Sequence, residues 1–112
     1  MTVFDDLAAE QDRLEGILGG LSEGQWVAPS AAAGWTVAGV VLHLAQSEES
    51  VQATMTHGDL RTGIAAAAGN TIEERAEAAV RAERAAPALV FERWRRARTA
   101  ALALRVLRTY AE

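Results

Sequence analysis

Gly34-Trp35-Thr36-Val37-Ala38-Gly39-Val40-Val41-Leu42-His43-Leu44-Ala45-Gln46-Ser47-Glu48-Glu49 is the stretch that decides how this chain reads. Thr36 stands where an N-cap belongs, its hydroxyl able to accept from a free amide of the first turn, and helical spacing starts at the next residue. Val37, Val40, Val41, Leu44 and Ala45 recur at the spacing of one apolar helix face. At about 100° per residue, His43 falls roughly 120° from the centre of that face, in line with Gly39, Ser47 and Ser50. The imidazole is therefore expected at a seam between helices. Two readings of it stand: a boundary histidine with one satisfied hydrogen bond, or a metal ligand whose companions come from another helix. Glu48 is no companion, because a five-residue step turns about 140° away.

The rest of the chain reads as scaffold for that helix. With 112 residues and half of them hydrophobic, one domain spanning 1-112 can bury a single core. Alanine, leucine, arginine and glutamate dominate and aromatics are few, so an all-α bundle of closely approaching helices is predicted. The absence of cysteine removes disulfides, thiolate metal sites and a cysteine nucleophile. No apolar run reaches the ~18 residues of a membrane span and the first residues are acidic, so no membrane partner and a cytoplasmic location are expected.

Thr2 is placed to cap a first helix with Asp5 and Asp6 in its first turn, and Phe4, Leu7, Leu14, Leu18 and Leu21 keep bundle-seam spacing. Gln11 occupies a seam position, either reaching toward a site or lying at the solvent edge. Gly19-Gly20 should end the helix through a left-handed cap. Ser22 with Gln25 forms a capping-box pattern for one short turn bearing Trp26. Trp26 and Trp35 read as lids over the bundle end or as the lining of a pocket mouth.

Helix two is predicted from Val37 to about Met55, with His57 as a C-terminal cap. Gly39 costs about 1 kcal/mol in its first turn, which close packing or open space beside His43 would justify. Asp59 to Gly69 carries no clear pattern. Asn70 or Thr71 caps a helix from Ile72 with little apolar content, expected to pack weakly at one edge. Pro87 opens a last helix in which Val90, Trp94, Ala97, Ala101 and Leu104 share a face.

Net charge is -4, yet Arg93, Arg95, Arg96, Arg98, Arg105 and Arg108 crowd the last helix. A nucleic-acid partner is not expected, since no recognition motif or stacking aromatics accompany these arginines, and pairing with neighbouring acidic helices accounts for them. Phosphate-binding glycine loops, histidine pairs at i and i+4 and serine elbows are all absent, which leaves nucleotide and triad hydrolysis without support.

Trp26, Pro29, Gly34-Trp35-Thr36-Val37 and His43-Leu44-Ala45, preceded by Val3-Phe4-Asp5-Asp6-Leu7-Ala8-Ala9-Glu10, resemble the N-terminal metal-binding domain of the mycothiol-dependent maleylpyruvate isomerase family. The resemblance is strongest over residues 3 to 50 and extends through Phe91-Glu92-Arg93-Trp94-Arg95. It implies an up-and-down, DinB-like four-helix bundle. It also implies a divalent metal, zinc by preference, held by the helix-two histidine together with a glutamate and a histidine four residues apart on the final helix, with a position open to mycothiol. In such chemistry the metal lowers the thiol pKa and holds the thiolate for addition to an electrophile such as maleylpyruvate.

His43 matches the first ligand, and the other two ligands have no counterpart in this sequence. The resemblance therefore points to a shortened member, lacking or sharing its fourth long helix and inactive as an isolated monomer. A homodimer, or a C-terminal segment missing from this chain, would complete the bundle. The alternative is a non-enzymatic helical module that dimerises through the groove so exposed.

Overall fold

A computed structural model describes residues 3–57 and 69–111, and the side chains of residues 3–56 and 69–103. The described chain is all-α, in the order α1 (Val3–Gly19), α2 (Glu23–Trp26), α3 (Val37–His57), α4 (Ile72–Ala82) and α5 (Pro87–Ala111). Helices α3 and α5 form the central pair, α1 leans on α5, and α4 and the single turn α2 lean on α3. No described helix is long and apolar enough to cross a membrane. The expectations for Thr2, Asp59 to Ala68, the His57 side chain, Leu104, Arg105 and Arg108 lie outside the described residues.

Local chemistry explains most boundaries. Ser22 accepts from the Gln25 amide at 3.2 Å while the Gln25 side chain accepts from the Ser22 amide at 2.8 Å, closing the capping box that starts α2. Thr36 caps α3 through the Gly39 amide at 3.0 Å, and Thr71 caps α4 through the Glu74 amide at 3.1 Å. Pro87 is the first residue of α5, where its missing donor goes unnoticed.

The end of α1 differs from expectation. Gly19 and Gly20 adopt no positive φ; the helix tightens instead, with the Gly20 and Leu21 amides donating to the Ile17 and Leu18 carbonyls at 3.2 Å. Three-residue hydrogen bonds satisfy the terminal carbonyls without a left-handed residue.

Val90, Trp94, Ala97 and Ala101 are all buried, so the inward face of α5 is the one the spacing predicts. On α3 the packed face lies about a quarter turn from the predicted stripe. Val41, Leu42, Ala45 and Gln46 are the buried residues there, while Val37, Val40 and Leu44 are only half-buried. The cause is α4, which covers the Leu42–Gln46 side. Gln46 is fully buried and donates through Nε2 to the Ala79 carbonyl at 3.0 Å and to Glu83 at 2.8 Å. The Glu83 amide turns back to the Val80 carbonyl, so Gln46 serves a carbonyl that the end of α4 leaves over. Helix α4 does sit at one edge, yet Ala76, Ala79 and Val80 are buried and this polar clamp pins it.

The arginines of α5 turn to the acids of the other helices. Arg93 makes a two-pronged contact with Glu49 at 2.8 and 2.7 Å and reaches Glu83 at 3.2 Å. Arg98 meets Asp12 and Glu15 at 2.9 Å with its guanidinium over the Trp94 ring, and Arg95 pairs with Glu15 at 3.4 Å. Burial pushes the Glu83 carboxyl up, but hydrogen bonds from Arg93 and Gln46 and the Arg93 charge outweigh it, leaving the pKa below the ordinary 4.5. The hydrogen bond from Arg98 pulls Glu15 below 4.5 too, opposed by burial and helped by the Arg98 and Arg95 charges.

Both carboxyls ionise more readily folded than unfolded, so their contribution is complete above 4.5 and is lost as pH falls through the lower folded values. Melting temperature should therefore stay level from pH 7 down to about 5 and fall below that, with Glu83→Gln softening the acid-side drop. Circular dichroism melts across pH test this, and an identical drop in the variant would remove Glu83 as a source.

Candidate functional site

The loop before α3 sets the surroundings of His43. The Trp35 amide donates to the Ala32 carbonyl at 3.1 Å across a turn whose third residue, Gly34, has φ +83°, a value that glycine adopts without strain. Pro29 and Thr36 face each other in an isolated antiparallel bridge, with the Ser30 amide donating to Trp35 at 2.8 Å and the Val37 amide to Ala28 at 3.0 Å. That closure holds Trp35 against the first turns of α3. The Trp35 and His43 rings meet edge to face, 5.6 Å between centroids.

The two tryptophans divide the roles expected of them. Trp26 is only 5% exposed and packs on Phe91 at 5.7 Å, so it is part of the core and not a lid. Trp35 is half-buried and lines a cavity of about 500 Å³ at this end of the bundle. Gly39 earns its place through closeness: a Cβ there would lie 3.2 Å from the Thr36 hydroxyl, 3.7 Å from Trp35 and 3.8 Å from Val80. The residue thus lets the α3 cap, the Trp35 ring and α4 converge within one turn of His43.

His43 itself is half-buried, and its Nδ1 is buried without a hydrogen-bond partner among the described residues. Ser47 is occupied, donating to the His43 carbonyl at 2.9 Å, whereas the Ser50 hydroxyl on the same side of α3 is buried with no partner among those residues. Gln11 is buried at 8% exposure, not at the solvent edge, with its carbonyl oxygen also unpartnered there. No hydrogen bond joins Gln11 to His43 among the described residues. Gln46 was not singled out by the sequence reading; its signal is the four-residue line from Ala38 through Leu42, which it continues.

The orphaned imidazole nitrogen is the kind of atom a metal would use. Its neighbours do not supply the rest: among the described residues no group of three or more His, Cys, Asp or Glu side chains is placed to hold a metal ion. One nitrogen does not fit the three-ligand zinc site that the resemblance implies, so no chemistry is routed through a metal here.

The family model described as the mycothiol maleylpyruvate isomerase N-terminal domain matches residues 7–108. The chain belongs to that family. No curated protein and no solved structure matches it. Membership of the mycothiol maleylpyruvate isomerase N-terminal domain family accounts for the DinB-like helical bundle, with α1, α3 and α5 as its long members and His43 on α3 within the matched residues.

Proposed function

We propose that this chain is a mycothiol-type, DinB-like domain of the cytoplasm in which His43 marks the family's first metal position, and which turns over no substrate by itself. The lone imidazole carries this reading. His43 presents one buried, unpartnered nitrogen, and the described residues offer no second and third donor beside it. A single imidazole holds zinc far too weakly to set the pKa of a thiol, which takes several ligands in a defined geometry. Zinc and mycothiol would act here only where a second copy of the chain, or another segment, brings the remaining donors to α3.

Purified monomer supplied with zinc, mycothiol and maleylpyruvate should show no isomerisation above the rate without protein. Measurable turnover by the monomer would refute the proposal. The second reading, a non-enzymatic module that dimerises, is supported by the unpartnered Nδ1 of His43 and hydroxyl of Ser50 on one side of α3. Light scattering on the same samples separates the two: a stable dimer without metal or turnover favours the module, and a monomer removes it.

A further inference from the structure

The cavity beside Trp35 is built differently from the His43 environment. About 500 Å³ in volume, it lies where the N-terminus of α3, the C-terminal end of α4 and the first turn of α5 meet under the loop that carries Trp35. This is within the size range of small-molecule sites. Its deep walls are the core residues Leu42, Val80 and Val90, each 5% exposed or less, and Trp35 forms an aromatic side.

The rim is positively charged on balance. Arg81, Arg84 and Glu77 line it, two cations against one anion. Arg81 reaches Glu77 only at 3.9 Å, and both side chains are more than half exposed, so their pairing is weak and easily exchanged. Arg84 is the one described arginine with neither an ion pair nor a hydrogen bond; Arg93, Arg95, Arg96 and Arg98 all face carboxylates. A guanidinium left free at the edge of an apolar cavity is matched by a carboxylate whose hydrocarbon part fills the space below. Ala38, in the first turn of α3, also lines the cavity, so the positive end of that helix adds to the charge of the same sign.

We infer that this cavity is a binding site for a small monocarboxylate with an apolar body, the carboxylate on Arg84 and the hydrocarbon against Trp35, Leu42 and Val80. The site is separate from any metal chemistry at His43 and stands or falls independently of it. Because Trp35 touches both, a ligand in the cavity bears on the ring that packs against His43.

Phenylbutyrate and its neutral counterpart phenylbutanol test the assignment by two-dimensional amide NMR on the full chain. Titration with phenylbutyrate should move the Trp35 indole signal and the Ala38 and Gly39 amides saturably, while the Trp26 and Trp94 indoles report an unchanged core. Phenylbutanol should bind about tenfold more weakly, and Arg84→Gln should weaken phenylbutyrate by about the same factor, as expected for one charge-assisted contact. Ala38→Leu, which adds methyl groups at the lining, should abolish binding with the Trp26 and Trp94 signals in place. Absence of a saturable Trp35 shift, equal affinity for the alcohol, or full affinity in either variant would overturn the proposal.

Discussion

Trp94→Ala should lower the melting temperature by roughly 12–25 °C, from a loss of about 3–5 kcal/mol for truncating a buried tryptophan in a domain of this size. Trp94 is 2% exposed and packs in the cluster formed by Leu18, Val41, Leu42, Ala45 and Val90, which joins α1, α3 and α5. Its ring also stacks near Phe91, 6.4 Å between centroids, and supports the guanidinium of Arg98 at 5.5 Å. Truncation opens a cavity at the centre of the bundle and removes the apolar shelf under Arg98. A loss of this size is a large share of the ~5–15 kcal/mol that holds a typical domain together. Leu89→Ala, at a 64% exposed position on the same helix, should change stability by no more than about 0.5 kcal/mol. Equal melting temperatures for the two variants would mean that α5 does not present this face to the core.

Gln46→Leu has the second largest expected effect, and its sign runs against the hydrophobicity of the site. Leucine is a better helix former of similar size, and position 46 is fully buried, so burial alone predicts stabilisation. The hydrogen bonds predict the opposite. Leucine leaves the Ala79 carbonyl without its partner and takes a donor from Glu83, and a buried acceptor left unpaired costs about 1–3 kcal/mol. Chemical denaturation should show that loss, together with a smaller acid-side decline in stability, because Glu83 is no longer stabilised as the anion by Gln46. A variant more stable than the parent would show that the clamp onto α4 contributes nothing net.

Repeating side-chain character made α5 and the caps legible in the sequence. Val90, Trp94, Ala97 and Ala101 identify one face unambiguously, and Thr36, Ser22, Thr71 and Pro87 are each local signals complete within four residues. The face of α3 was less legible because apolar spacing cannot register a polar residue whose partners lie on another helix. Gln46 looks solvent-facing until α4 offers it a carbonyl and a carboxylate. Burial of Trp26 likewise depends on Phe91, far along the chain.

The candidate site divides in the same way. His43 is legible through its place in a motif and the family resemblance, and the family match covers the stretch that carries it. The contact with Trp35 depends on the closure of a loop around Gly34, and the lining of the cavity on the meeting of three helices. Neither has a spacing rule. Gly39 was the one visible trace, a costly residue in a first helical turn whose purpose becomes clear only when Trp35 and Val80 are placed beside it.

Zinc titration by calorimetry, on the purified chain and on His43→Ala with light scattering to fix subunit number, tests most directly whether His43 lacks the companions that a zinc site needs. For the monomeric chain the account predicts no saturable zinc heat at micromolar protein and superimposable traces with and without His43. Micromolar or tighter binding by the monomer that disappears with His43 would contradict it, because the remaining ligands would then have to come from this same chain.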